Sequence, residues 1–147
     1  MTRRYVAPSW FTTHVWNRLV LLAMALGVSF YGARSLAVRG RSSGAWRTTP
    51  VNVLTVGADR YLVAPRGVTQ WVRNLRVTGE AELRLGARRE AIRITELADG
   101  EKPPVLRAYL RQWAFEVGAF FQGVGPESPD DKLLQIAPGH PVFRIQR

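Results

Sequence analysis

The sequence predicts one domain that is mainly β with helices (α+β), its short strands joined as antiparallel hairpins into a sheet or small barrel. Three observations predict this. Between residues 35 and 97 short runs of β-branched and alternating apolar residues are separated by glycine-containing turns, a spacing suited to hairpins rather than to βαβ crossovers. Apolar residues recur at helical spacing near both ends of the chain. The length of 147 residues, with 46% apolar and 22% charged, suits one core and argues against intrinsic disorder.

The elements follow in order. Residues 10 to 26 read as a helix, with Phe11, Val15, Leu19, Leu22 and Leu26 at steps of three and four and Gly27 as a stop. The uncharged run from Leu19 to Ala33 is fifteen residues, short of the roughly 20 that a spanning helix needs. Residues 1–34 are therefore expected to form an N-terminal helical segment, either core or docked on a membrane surface, ahead of a β domain over 35–147. A secretory signal with Arg3 and Arg4 at its basic end is the weaker reading, since fourteen residues, Trp10, His14 and Trp16 among them, separate Arg4 from the run. Strands are expected at 35–39, 46–56 and 61–64, and a short helix over 69–76 capped by Thr69. A hairpin over 80–86 and 90–97 turns at Gly86-Ala87-Arg88. A helix starts at Pro103-Pro104 with Leu106, Leu110, Trp113, Val117 and Phe120 on one stripe, residues 122–140 read as a loop, and a last strand covers 141–145.

Charge narrows the function. There are 21 Lys+Arg against 11 Asp+Glu, a formal net charge of +10. Seven arginines precede the first acidic residue, Asp59, so the N-terminal third is positive and uncompensated in sequence and is expected to face an anion. The absence of cysteine excludes disulfides, thiolate metal sites and a cysteine nucleophile. His14 and His140 are the only histidines, which removes HExxH and three-histidine metal sites. No Walker A or G-x-G-x-x-G cradle opens a helix, and Gly27 to Gly32 spells G-x-S-x-x-G rather than a nucleophile elbow. Arginines and aromatics are not interleaved on strands as a nucleic-acid stacking platform requires, so no nucleic-acid partner is expected.

The positive signal is the stretch from Gly40 to Pro50. Arg41, Arg47, Ser42, Ser43, Thr48, Thr49, Gly40 and Gly44 fall within eleven positions, a loop whose backbone N–H groups and side chains can converge on one anion. If residues 46 to 65 form a hairpin, Arg66-Gly67 brings a third guanidinium to the same end of the sheet.

The run G-R-S-S-G-x-W-R-T-T-P-V-N, then Y-L-V-A-P-R-G with Q-W-V-R-N-L-R, then E-K-P-P-V-L-R-A-Y-L and H-P-V-F-R-I, resembles the deazaflavin-dependent nitroreductase family over roughly residues 10 to 147. The resemblance implies an actinobacterial split β-barrel of about six antiparallel strands that uses coenzyme F(420). This flavin analogue has carbon in place of the reactive ring nitrogen, and carries a phosphodiester and an oligoglutamate tail. It further implies that Arg41, Ser42, Ser43, Gly44 and Arg47 hold the phosphate and tail, with Arg66 and Gly67 closing from the next strand. Thr49, Pro50, Ala64, Pro65 and Val68 would line the ring, and Trp71 and Asn74 would support the pocket. No catalytic side chain is required, because the cofactor carries the hydride and the protein positions the acceptor.

Under the same resemblance the chain is an oxidoreductase passing hydride to a quinone, an activated enone or a nitro-heteroaromatic compound. Tyr31, Tyr109, Trp113, Phe120 and Phe121 are the expected acceptor wall, with core packing as the alternative. Residues 119 to 125 read Ala-Phe-Phe-Gln-Gly-Val-Gly where the best-known nitroreductase branch has closely spaced tyrosines, which argues against nitroimidazole activation. Two other readings stand. One is an FMN-binding split barrel, which needs fewer arginines; the other is a non-enzymatic basic protein on an anionic membrane. The expected setting is cytoplasmic, peripheral on the inner face of the plasma membrane if residues 10–33 dock there. The resemblance also implies that barrels of this kind often pair, and the sequence leaves monomer and homodimer both open.

Overall fold

The computed structural model describes residues 33–147; the expected helix at 10–26, Tyr31 and the membrane-docking segment lie outside the described residues. Six antiparallel strands form a closed barrel in the spatial order β1-β2-β3-β6-β5-β4. The strands are β1 (Ala33–Arg39), β2 (Trp46–Val56), β3 (Asp59–Val63), β4 (Glu80–Leu85), β5 (Arg88–Glu96) and β6 (Val142–Ile145). Helix α1 (Gln70–Thr78) joins β3 to β4, while α2 (Pro103–Val117) and α3 (Asp130–Ile136) stand between β5 and β6. Among the described residues no helix is long and apolar enough to cross a membrane.

Strand alternation sorts the core into two compartments. Leu36, Val38, Leu62, Leu83, Ile92 and Phe143 point into the barrel, where Val72 and Leu75 of α1 meet them. On the other side, Leu54 and Val63 meet Leu106, Tyr109, Leu110 and Trp113 of α2, with Phe121 and Leu133. Pro103 and Pro104 occupy the first turn of α2, where no intrahelical N–H is needed.

Two expectations are corrected. Residues 122–140 are not simply a loop, for Asp130–Ile136 is helical. Pro129 precedes this helix, Asp130 and Asp131 occupy its first turn, and Leu133 is buried. Arg107 fastens it to α2, donating to the Pro126 carbonyl and to Asp130 Oδ1, each at 2.6 Å. Lys102, nearly fully buried, donates from Nζ to the Ala137 carbonyl at 2.9 Å and pairs with Asp99 at 2.8 Å. Secondly, Thr69 occupies the N-cap position of α1 in extended backbone, but its side chain makes no cap hydrogen bond.

Candidate cofactor site

The hairpin joining β1 to β2 builds one wall of the site. Strand pairing runs from Ala33–Asn52 to Arg39–Trp46, and the Gly40–Ala45 link is closed by Gly40 N–H donating to the Ala45 carbonyl (2.7 Å) and Gly44 N–H to the Gly40 carbonyl (2.9 Å). Gly44 adopts φ +72°, a conformation that side-chain-bearing residues rarely adopt. A Cβ on Gly40 would stand 3.0 Å from Ser43 Oγ, so the loop closes too tightly there for a side chain without a shift. Ser43 Oγ accepts from Ala45 N–H at 3.1 Å, fixing the tip.

The opposing wall arises where β2 and β3 part. They pair from Val53–Leu62 to Val56–Asp59 and no further. Continued in register, Thr49 would oppose Arg66, Pro50 would oppose Pro65, and Val51 would oppose Ala64. Instead Ala64 N–H donates to the Pro141 carbonyl at 2.8 Å, keeping this chain with β6, while β2 from Trp46 to Asn52 pairs only with β1. The sheet is split here, and among the described residues one edge of β2 from Trp46 to Asn52 has no strand beside it. Pro50, which lacks an N–H, is tolerated on such an edge. Gly67, at φ +89°, then turns the chain, its N–H donating to the Ala64 carbonyl at 3.3 Å, and leads into α1.

The residues expected to line the ring therefore fall around one split. Thr49, Pro50 and Pro65 are half-buried, Ala64 and Val68 are buried, and Trp71 packs against the barrel core with its ring 5.9 Å from Phe143. Val51 and Val53 pack against the barrel interior, so alternation sets Thr49 and Arg47 on the same face. Arg66 is half-buried beside the buried Gly67.

Asn74 has a more specific place than support. It is 5% exposed, and its Oδ1 accepts from the Arg41 backbone N–H at 3.1 Å and from Arg41 Nη1 at 2.8 Å. Gln70, one turn earlier on α1, accepts from the same Nη1 at 2.9 Å through Oε1. Gln70 opens the Q-W-V-R-N-L-R motif without an assigned role, and its four-residue step to Asn74 is the signal for one, since it puts both amides on one face. Also absent from that reading was the setting of Trp46, which is 41% exposed with the guanidinium of Arg39 4.2 Å and that of Arg84 5.2 Å from its ring.

Several arginines elsewhere are matched: Arg60 with Glu90 (2.6 Å), Arg76 of α1 with Glu96 (2.7 Å), and Arg84 and Arg89 with Glu82 (2.6 and 3.2 Å). The bidentate hydrogen bonds from Arg60 hold the Glu90 carboxyl below the usual glutamate range, against the opposing effect of burial. Arg39, Arg41 and Arg47, by contrast, form no ion pair among the described residues.

These residues fit a polyanionic flavin-like cofactor on three counts. Among the described residues the cations at the hairpin form no ion pair, the β2 edge presents backbone without a strand partner, and Thr69 Oγ1 is buried with no hydrogen-bond partner. A buried hydroxyl of that kind is expected to find a partner. Among the described residues no cluster of His, Asp and Glu could hold a metal ion.

Three residues of the expected acceptor wall are packed in the core, the alternative that the sequence left open. Tyr109, Trp113 and Phe121 are nearly fully buried, with ring centroids 5.0 Å apart for Tyr109–Trp113 and 6.2 Å for Tyr109–Phe121, and Phe121 stacks on His140 at 4.2 Å. They fill the compartment between α2 and the barrel, their rings tilted against one another, because the apolar stripe of α2 must be covered. Phe120 packs half-buried at the margin of that compartment.

The sequence comparison shows a family, and the structure comparisons show its fold. The family described as F(420)H(2)-dependent quinone reductase matches residues 13–119. No curated protein matches the chain in sequence. Solved structures share the fold at low identity. One described as an F(420)-H(2) dependent reductase has 14% identity and a TM-score of 0.56, covering 82% of this chain and 100% of its own. Another, described as a domain-swapped dimer, has 14% identity and a TM-score of 0.58, covering 93% and 97%. A NimC/NimA family protein from Clostridium acetobutylicum has 12% identity and a TM-score of 0.52, covering 79% and 74%.

Proposed function

We propose that the chain, which belongs to the F(420)H(2)-dependent quinone reductase family and so is an F(420)-dependent oxidoreductase, reduces an electron-poor acceptor, with a quinone as the first candidate and activated enones next. The observation that carries this reading is the row of uncompensated arginines, Arg39, Arg41 and Arg47, beside the split between β2 and β3. A phosphodiester with an oligoglutamate tail is a ligand whose charge suits that row. FMN, with one terminal phosphate, would leave part of it unused.

When bound, reduced coenzyme F(420) supplies a hydride from its ring carbon, and a proton from solvent completes reduction of a quinone to its hydroquinone. The chain's own residues bind and orient. Arg41 and Arg47, with Ser42, Ser43 and Gly44, hold the phosphate and tail at the hairpin, and Arg66 and Gly67 close the far side. Thr49, Pro50, Ala64, Pro65 and Val68 line the split with backbone and small apolar groups, which brings a flat ring close and excludes water. Trp71 backs this wall. Phe120 is proposed at the acceptor end, and a second copy of the chain is proposed as a partner, to be tested by light scattering. The setting proposed is cytoplasmic.

The reading is tested by mixing the protein and reduced coenzyme F(420) with a water-soluble benzoquinone, an enone and a nitro compound in turn, and following the return of the oxidised cofactor's visible absorbance. Protein-dependent turnover fastest with the quinone supports it. Turnover with reduced FMN and none with reduced coenzyme F(420) overturns it.

A further inference from the structure

Every short ion pair of the barrel wall opposes an arginine to a carboxylate, but Arg41 is gripped by two carboxamides. Asn74 Oδ1 takes both its backbone N–H (3.1 Å) and Nη1 (2.8 Å), and Gln70 Oε1 takes Nη1 as well (2.9 Å). A carboxylate at either position would make the same hydrogen bonds more strongly, since a charged acceptor roughly doubles their strength. It would also cancel the positive charge. An amide oxygen orients the guanidinium and leaves its charge available, and Nε and Nη2 stay free of any hydrogen bond to the described residues. Asn74 is buried on α1 and Arg41 is exposed on the β1–β2 loop, so the grip spans 33 residues of sequence and ties the loop to the helix before any ligand arrives.

We infer that Gln70 and Asn74 are positioning residues that form a charge-preserving latch on Arg41, setting affinity for the anionic part of the cofactor by orienting this arginine without neutralising it. The inference rests on the proposed reading that the hairpin binds the phosphate and tail of coenzyme F(420). Its logic is electrostatic. A unit negative charge about 3 Å from the guanidinium subtracts from the field that an incoming anion meets, while the loop stays pinned.

The test compares Asn74→Asp, Gln70→Glu and Asn74→Ala with the wild type in two measurements on the full chain: thermal melting, and titration with coenzyme F(420) at low and at physiological salt. Asn74→Asp and Gln70→Glu are expected to melt at or above the wild-type temperature, yet to bind coenzyme F(420) roughly tenfold more weakly and with a shallower salt dependence, because one cation has been removed from the anion's field. Asn74→Ala is expected to melt lower and also bind weakly, through loss of loop order, while keeping the wild-type salt dependence. A merely structural latch gives a different pattern, in which both acidic variants bind as tightly as wild type with the same salt dependence, and that result overturns the inference. If either acidic variant fails to fold, the other carries the comparison. If the wild type itself does not bind coenzyme F(420), the functional reading fails instead, and the two failures are told apart by that control.

Discussion

Replacing Thr69 by valine should stabilise the ligand-free protein, the reverse of what an N-cap threonine ordinarily predicts. Loss of a working threonine cap costs about 1 kcal/mol, because the hydroxyl oxygen satisfies an orphan N–H of the first turn. Here no such bond exists, and Thr69 Oγ1 is instead buried without a partner. An unsatisfied buried hydroxyl is itself unfavourable by about 1–3 kcal/mol, and valine has nearly the same shape. Taking the lower end of that range, since the residue as a whole is only half-buried, Thr69→Val should gain about 1 kcal/mol. For a domain of this size that corresponds to a rise of about 2–4 °C in melting temperature. Urea unfolding without ligand measures it, with an unchanged denaturant slope as the sign that only stability moved. The same variant should bind coenzyme F(420) about fivefold more weakly if the cofactor is the missing partner, a difference of about 1 kcal/mol. A loss of about 1 kcal/mol in the ligand-free protein would refute the reasoning, for it would mean that the hydroxyl caps α1 in solution.

Other substitutions follow from the same structure. Arg47→Ala should weaken coenzyme F(420) about tenfold in a titration while shifting stability by less than about 0.5 kcal/mol, since the side chain is exposed and makes no ion pair among the described residues. Gly67→Ala should cost about 1–2 kcal/mol in urea unfolding, because φ +89° strains a residue with a Cβ. Phe143→Ala, at 0% exposure in the barrel core, should cost about 3–5 kcal/mol. Glu90 has its carboxyl pKa lowered by Arg60, so its pairing contributes stability above the unfolded glutamate pKa and loses it as pH falls through the lower folded value. Glu90→Gln should therefore flatten acid unfolding below about pH 4. Its effect at neutral pH should not exceed about 0.5 kcal/mol, since both side chains are at least a third exposed.

Much of the barrel was legible because period-two alternation is a local property. The strand at 46–56 has the bounds the sequence implied, and the others shift by one or two residues at their ends. The helix at Asp130–Ile136 escaped because prolines and glycines on either side dominate the composition of 122–140, while its apolar anchor, Leu133, is one residue. Within the candidate site, composition and family resemblance pointed to Arg41, Arg47, Arg66 and the glycines, but what they touch was not legible. The grip of Asn74 and Gln70 on Arg41 spans some thirty residues and depends on how α1 docks across β1 and β4. The parting of β2 from β3 likewise depends on Ala64 bonding to Pro141, at the far end of the chain. For Tyr109, Trp113 and Phe121 the sequence left core packing and acceptor wall both open, and their burial depends on which face α2 turns to the barrel and on how the chain folds back after it.

The most direct measurement is titration of the purified protein with oxidised coenzyme F(420) and, separately, with FMN, following quenching of its five tryptophans, of which Trp46 and Trp71 flank the proposed site. The account predicts saturable binding of coenzyme F(420) that is tighter than FMN and weakens with salt. Equal or tighter binding of FMN, or binding of coenzyme F(420) indifferent to salt, would contradict it.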